Sequence, residues 1–342
     1  MENNELFNRL LILRTPNIGP AHYSELIKRF GNVFDAAASL RADVGMRDRV
    51  LREMARANEL GVHYICDDMP EYPPALRAIK LHPPVLCVRG NVMTLTRPTV
   101  SIVGTRHATA AGMNLTVQIA YAFASHGTAV VSGMAMGTDA AAHRGALRVA
   151  GDMQTIAVVA GGVDYIWPME NESLYWEIVA RGAVVSEMPV GFTPVASNFV
   201  MRNRWIAGIG QKLILGEADL KSGSMKTARF AYESNREIWA IPSHPSDSRA
   251  AGPNMLIKSG VAKLCSGPSD FFESDKNLSD MKKIDENFDS ENLILDALGT
   301  IPVSESVLSE IVKKTISEIK TELVILELRG LVRKVDGGYV RA

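Results

Sequence analysis

The sequence predicts an α/β protein in which a parallel β-sheet carries helices on both faces. Two observations support this fold class: β-rich runs alternate with Ala-rich helical stretches, and the runs are apolar almost throughout. Strands of a parallel sheet are buried on both faces and therefore lack apolar–polar alternation. Helical stretches include 112–125 and 140–149, and the predicted strands are 99–103, 128–132, 155–160, 183–186, 212–216 and 237–241.

The composition excludes several classes of protein. Lys plus Arg number 37 and Asp plus Glu 38, a net charge of −1, which argues against a globally basic nucleic-acid coat but permits a local basic groove. The three cysteines form no CxxC pair, which excludes a disulfide framework and a cysteine zinc site. The acidic start does not resemble a signal peptide, and no run approaches the roughly 20 apolar residues that cross a bilayer. We therefore expect a cytoplasmic protein that does not associate with membranes.

Residues 1–66 are predicted to form a small helical domain. Leu6, Leu10 and Leu13 share one helix face, and a turn at 17–20 separates them from a second apolar pattern at 23–30. A glycine turn between two helices can be a helix-hairpin-helix, which holds a DNA phosphate on backbone amides. No basic cluster surrounds Gly19, so a small packing module is favoured.

The last 70 residues are predicted to form a linker (273–287) and a winged helix (288–342). The linker is charged and poor in apolar side chains. Helical patterns at 293–298, 307–312 and 316–328 precede a glycine hairpin at 331–340. Residues 303–342 hold seven basic and six acidic side chains, a net charge of +1. A protein contact or dimerisation therefore fits at least as well as DNA binding.

Within the core domain at 67–272, the loops that follow the strands are the candidate site, because ligands bind at the carboxyl ends of parallel strands. The first loop holds Gly104, Thr105 and Arg106. Glycine lets the backbone approach an oxyanion, a helix start supplies N–H groups, and the arginine fork suits phosphate. A plain turn with a solvent-exposed arginine is the alternative.

The second loop, at 132–143, again places glycines between a strand and a helix. Asp139 and His143 lie one turn apart, a spacing that suits an acid–base pair or two metal ligands. No third ligand has a suitable spacing, so a helix-capping aspartate and a buried, hydrogen-bonded histidine are favoured. A third loop repeats the glycine pattern at 161–162.

Two further segments add positive charge. Residues 199–204 combine Phe199, which could stack on a base or pack in the core, with two arginines that could hold phosphates. Residues 221–227 open a helix with a Ser-Gly-Ser turn beside two lysines. From 197 to 236 the surplus of basic over acidic side chains is 7 − 3 = +4. We predict these DNA- and phosphate-binding residues: Gly104, Thr105, Arg106, Ser132, Gly133, Gly137, Gly161, Gly162, Phe199, Arg202, Asn203, Arg204, Lys221, Ser222, Gly223, Ser224, Lys226 and Thr227.

The same loops carry little sign of catalytic chemistry. They contain no Ser–His–Asp order, no HExxH motif and no evident acidic set for Mg²⁺. We therefore expect a binding protein rather than a hydrolase, with no catalytic residue, metal or cofactor. Because the arginines are expected in crevice loops, their replacement by alanine is predicted to leave the fold intact.

Eight ordered motifs resemble the DprA/Smf family of DNA-processing proteins. They are IVGTR, SGMAMGTDAAAH, AGGVDYIWPMEN, SEMPVG, FVMRNRWIAG, EADLKSGSMKTARFA, REIWAIPS and GPNMLIKSG, and the dense match covers about residues 70–272. The flanking domains resemble the family's more loosely. The sequence departs from the family pattern at Met136, Trp167 and Ser243, and the first departure could remove one phosphate contact.

The resemblance implies a Rossmann-like core that binds single-stranded DNA, forms a homodimer and loads the RecA recombinase during natural transformation. It also implies an N-terminal SAM/helix-hairpin-helix-like domain and places Arg106, 202–204 and 222–224 in the DNA pocket. The alternative is a nucleoside monophosphate-cleaving enzyme of the lysine-decarboxylase-like group, which shares a glycine-rich Rossmann plan. Its PGGxGT signature is missing, since Val163 and Asp164 follow the Gly161–Gly162 pair.

Overall fold

The computed structural model describes residues 4–40, 44–272, 294–295, 297–299 and 302–341. The predicted linker at 273–287 lies outside these residues. Among the described helices, none combines the length and the apolar character needed to span a membrane.

The central sheet runs in the order β1-β2-β6-β5-β4-β3-β7-β8-β9. Strands β3 to β9 are parallel to one another, whereas β1 and β2 form an antiparallel edge that joins β6. The strands are β1 (Val62–Cys66), β2 (Val85–Gly90), β3 (Thr99–Val103), β4 (Ala129–Ser132), β5 (Thr155–Val158), β6 (Ala183–Ser186), β7 (Lys212–Leu215), β8 (Glu237–Ala240) and β9 (Lys263–Leu264).

Helices cover both faces of the sheet because successive strand residues point to opposite sides. On β3, Ile102 packs with α6, whereas Val103 packs with α9 on the other face. The helices before the C-terminal region are α1 (Glu5–Arg14), α2 (Pro20–Phe30), α3 (Val33–Ser39), α4 (Val44–Glu59), α5 (Pro74–Arg77), α6 (Ala110–Ser125), α7 (Thr138–Leu147), α8 (Glu172–Arg181), α9 (Ala196–Ile209), α10 (Gly223–Glu233) and α11 (Ala251–Lys258). The predicted α/β class is confirmed.

The N-terminal region is helical only as far as residue 59. Within the predicted helical range, Val62–Cys66 forms the strand β1, which pairs with β2 from Val62 opposite Arg89 to Cys66 opposite Val85. Helix α1 is tied to the end of this strand, since the guanidinium of Arg9 contacts Asp67 and Asp68, both at 2.8 Å. Helices α1–α4 therefore pack on an edge of the core sheet.

The C-terminal region has the predicted winged-helix elements. These are α12 (Glu305–Val312), α13 (Ile316–Leu328), β10 (Val332–Val335) and β11 (Gly338–Arg341). The two strands are antiparallel, and Gly337 (φ 93°) and Gly338 (φ 146°) form the predicted glycine turn. The helix predicted at 293–298 lies partly outside the described residues, but Ile294 and Leu298 are buried in the small apolar core of this region.

Candidate functional site

The candidate site is a crevice at the point where the strand order reverses. Strand β3 has β4 on one side and β7 on the other, so the loops after β3 and β7 diverge, which is where α/β sheets bind ligands. They enclose a cavity of about 260 Å³. Its lining comprises Val103, Gly104, Thr105, Arg106, His107, Ala135, Asp139, Arg202, Asn203, Ile206, Ser222, Gly223, Ser224 and Thr227.

The loop after β3 is fixed on two sides. The Thr105 N–H donates to the Glu217 carbonyl at 2.6 Å, and the Thr138 N–H donates to the Thr105 carbonyl at 3.2 Å. Gly137 needs to be glycine, because its φ is +70° and a Cβ there would lie 2.5 Å from the Thr105 carbonyl oxygen. Arg106 projects from this loop into solvent, with its guanidinium 5.0 Å from the Trp167 ring centre.

The start of α10 opens into the same crevice. Ser222 caps the helix by accepting from the Met225 N–H at 3.4 Å, and Gly223 is exposed. The Ser224 hydroxyl donates to the Gly104 carbonyl at 2.6 Å, which joins this turn to the loop after β3. The first N–H groups of a helix have no intrahelical acceptor. The turn at 222–224 therefore has N–H donors available at the crevice.

A carboxyl group of the chain itself occupies the start of α6. Glu217 accepts from the Thr109 N–H at 2.7 Å and from its hydroxyl at 2.5 Å, at the start of α6. Asp139, which the sequence favoured as a helix cap, lies in the first turn of α7 and does not cap it, because the cap position is Gly137. Its carboxyl accepts instead from the Ala135 N–H at 3.4 Å, in the turn before the helix. Burial raises the pKa of Asp139, and the charge of Arg202 opposes that rise. In the turn before α10, the Asp219 carboxyl accepts from the Lys221 N–H at 3.0 Å, one residue ahead of the Ser222 cap.

Arg202 and Arg204 lie on helix α9 and not in a crevice loop, which corrects the sequence-based expectation. Arg202 is 6% exposed, and its Nη1 donates to the carbonyls of Gly133 and Val158, both at 2.5 Å. Burial lowers the pKa of this guanidinium to about 10. Arg202 thus forms the floor of the crevice and joins α9 to the strand ends.

Arg204 is directed to a different cavity. Residues two apart on a helix point in nearly opposite directions. Its Nη2 donates to the Lys80 carbonyl at 2.8 Å, beside Phe230 and Asn235. The predicted arginine pair is therefore split between two places, whereas Asn203 between them lines the crevice and donates to the Gly223 carbonyl at 3.3 Å.

An aromatic row extends the crevice toward the loop after β5. Phe199 is partly exposed and lies edge-on to Trp167, with ring centres 4.6 Å apart. Gly161 and Gly133 border the same pair of rings. Trp167 and His107 were not among the predicted site residues. His107 directly follows Arg106 and lines the crevice, whereas the sequence marks Trp167 only as a departure from the family pattern.

The remaining predicted residues lie around or beneath this site. Ser132 is buried and donates to the Ile102 carbonyl at 2.6 Å. Gly162 packs against the carbonyl of Pro189, and buried Thr227 donates to the Gly223 carbonyl at 3.3 Å. Lys221 and Lys226 are exposed and flank the start of α10. They contribute charge near the crevice without lining it.

His143 is the buried, hydrogen-bonded histidine that the sequence predicts. It is 0% exposed, its Nδ1 lies 2.7 Å from the Thr155 hydroxyl, and burial lowers its pKa to about 3. It is therefore neutral at ordinary pH. Within the residues described, no three His, Cys, Asp or Glu side chains are grouped so as to hold a metal ion.

Residues 63–275 match the model of a family described as "DNA recombination-mediator protein A". The chain belongs to this family. Residues 3–57 match the "DprA-like N-terminal HHH domain" and residues 284–338 match the "DprA winged helix domain", so the flanking regions agree with the family as well.

Curated relatives of the DprA/Smf family match most of the chain. Protein Smf of Escherichia coli is 34% identical over 82% of this chain and 77% of its own length. The DNA processing protein DprA of Bacillus subtilis is 34% identical over 69% and 80%, respectively. Protein Smf of a Synechocystis species is 37% identical over 70% of the chain, which spans about half (55%) of that relative's length.

Two solved structures share the fold. DNA processing protein A from Streptococcus pneumoniae has a TM-score of 0.62 and 29% identity, and the match covers 79% of this chain and 94% of that one. A structure that describes the single-stranded DNA binding mode of the Helicobacter pylori protein has a TM-score of 0.56 and 29% identity, covering 65% and 97%.

Proposed function

We propose that this chain is a recombination mediator without catalytic activity, which binds single-stranded DNA along the crevice, protects it and promotes RecA loading in natural transformation. A homodimer is part of this proposal. The observation that carries it is the start of α10, where the turn at 222–224, Asn203 and exposed Arg106 face one another. This group offers N–H donors, hydroxyls and a guanidinium to a phosphate at the surface.

The shape of the crevice supports a polymer rather than a buried mononucleotide. The Glu217 carboxylate occupies the start of α6, whereas the turn at 222–224 before α10 lines the crevice and is open to a phosphate. The aromatic row of Phe199 and Trp167 lies next to Arg106, where an unpaired base can stack. The Helicobacter pylori relative, whose structure describes single-stranded DNA binding, agrees with this assignment.

A titration with fluorescent oligo-dT and a matched blunt duplex tests the proposal. We expect oligo-dT to bind well and the duplex poorly, because bases in a duplex are stacked and cannot reach the aromatic row. Affinity should fall steeply with salt, since each phosphate contact releases counterions. Equal affinity for both forms of DNA would contradict the assignment, as would release of adenine from AMP, which would support the enzyme alternative.

Replacement of Arg106 by alanine provides the residue-level test. Oligo-dT affinity should fall for every base composition, and the slope of log affinity against log salt should shrink by roughly one unit. The matched control is Arg229→Ala, because Arg229 is an exposed arginine on α10 that pairs with Glu233 at 2.8 Å, away from the crevice. Equal losses in both variants would mean that general charge, and not the crevice, binds the strand.

A further inference from the structure

Glu217 is a buried carboxylate that bonds both ends of the segment carrying Arg106. It is 5% exposed and follows β7. Its main-chain carbonyl accepts from the Thr105 N–H at 2.6 Å, and its side chain accepts twice from Thr109. Buried charges are rare without several such partners. One residue thus fixes the loop on either side of Arg106.

The same carboxylate lies where a helix start attracts an anion. The first turn of α6 has N–H groups without intrahelical acceptors, and the helix dipole favours negative charge there. A Cβ at Gly112 would lie 2.8 Å from the Glu217 carboxyl carbon, so the carboxylate covers the first turn of α6. Arg249 donates to the His107 carbonyl at 3.1 Å, and its charge interacts with Glu217.

We propose that Glu217 is a positioning residue that also sets specificity: its carboxylate fills the anion position of α6 and holds the Arg106 loop. This inference rests on the proposed function. A mononucleotide phosphate carries about two negative charges, which an open helix start favours. A phosphodiester carries one and binds at the surface, at α10 and Arg106. The occupied position therefore excludes a mononucleotide phosphate from α6 and leaves α10 and Arg106 to a DNA strand.

Removal of the carboxylate should expose the position to external anions. We compare thermal unfolding of wild type, Glu217→Ala and Glu217→Gln in sodium phosphate and in sodium chloride of equal ionic strength. The difference between the wild-type Tm values in the two salts measures the general effect of phosphate on stability. We expect phosphate to raise the Tm of Glu217→Ala by about 3 °C more than that of wild type. In Glu217→Gln the side chain still fills the position beside the first turn of α6, so phosphate should raise the Tm of this variant no more than that of wild type.

Two results would overturn this inference. One is a Glu217→Ala variant that gains no more from phosphate than wild type does, and the other is a Glu217→Gln variant that gains as much from phosphate as Glu217→Ala does. If Glu217→Ala does not fold in either salt, Glu217→Ser replaces it, because its hydroxyl can accept one of the Thr109 bonds. Oligo-dT titration of wild type is independent of these results. If oligo-dT does not bind wild type, the proposed DNA binding is rejected. The Tm comparison in phosphate and chloride would still test the role of Glu217.

Discussion

Arg202 lies beneath the crevice with 6% of its surface exposed, whereas Arg106 is exposed above it. Both belong to motifs that suggest phosphate binding, and the sequence offers no way to separate them. The difference comes from α9, which directs Arg202 toward the carbonyls of Gly133 and Val158. Burial of a side chain depends on which elements pack together, and a short motif does not contain that information.

We expect Arg202→Ala to destabilise the protein by about 3 kcal/mol, because it deprives two buried carbonyls of this donor and the buried Asp139 carboxyl of a nearby positive charge. Urea unfolding measures the change. Arg204→Ala is the control, since it removes an arginine from the same helix whose guanidinium lies in an open cavity; its cost should stay below about 1 kcal/mol. Equal stability of the Arg202 variant and wild type would restore the sequence-based expectation for this residue.

Among the elements, the parallel strands β3 to β8 were predicted to within two residues, but β1, β2 and the two-residue β9 were missed. Strands β3 to β6 are buried at every residue, which produces continuous apolar runs, whereas both residues of β9 are exposed. In β1, Val62, Ile65 and Cys66 are buried while His63 is exposed, and five such residues resemble the end of a helix as closely as a strand. Antiparallel edge strands leave a weaker pattern in sequence than central parallel ones.

The candidate site was predicted in outline for a related reason. The positions of Gly104–Arg106 and Ser222–Ser224 follow from the strand ends, which the apolar runs locate. The roles of Glu217 and Asp139 could not be predicted from the strand ends, because the role of a carboxylate in a basic crevice becomes clear only when its hydrogen-bond donors are known. The positions of the Trp167 and His107 side chains similarly could not be predicted, because they depend on the path of the loops.

The contact between α1, β1 and the loop at residue 82 is predicted to depend on pH. The hydrogen bond to Asp67, at 3.3 Å, raises the pKa of His82, although burial opposes the rise. A histidine whose pKa is raised on folding stabilises the protein fully below its unfolded pKa, about 6.5, and loses this effect as pH rises through the folded value. Burial acts to raise the pKa of Asp67, but its bonds to His82 and Arg9 lower it overall.

We therefore expect His82→Gln to lower the free energy of unfolding by up to about 1 kcal/mol near pH 5.5 and by less near pH 8.5, since the pair is partly solvated. Urea unfolding at the two pH values measures the difference. His63→Gln, at an exposed histidine of β1, is the matched control for loss of an imidazole. A larger loss at the higher pH would contradict the assignment.

For the whole molecule, the winged helix has an apolar core of its own. Leu308, Ile319, Leu323 and Leu326 pack there with residues of the same region. Helix α13 carries three Glu and one Lys and exposes Leu328 at 84%, which does not suit the major groove of DNA. These observations support the prediction that the region does not carry the main DNA contact.

A chain that ends at Phe272 should remain folded and keep most of its oligo-dT affinity. Phe272 itself must stay, because its ring stacks on His126 at 3.9 Å and contacts Phe123. Circular dichroism and the titration described above measure fold and affinity. A folded, shortened chain with strongly reduced affinity would identify the winged helix as a primary DNA site.

Truncation at the N-terminal end of the chain is expected to have a different effect, because this end contributes a strand to the antiparallel edge of the sheet. Strand β1 provides a partner for five residues of β2 and also belongs to the apolar core of the N-terminal helices. Loss of residues 1–66 would leave unpaired the backbone groups of β2 that face β1, although the other side of β2 still pairs with β6, and an unpaired edge invites pairing with other chains. We therefore expect removal of the N-terminal region to promote aggregation, whereas removal of the C-terminal region leaves the pairing of this sheet intact.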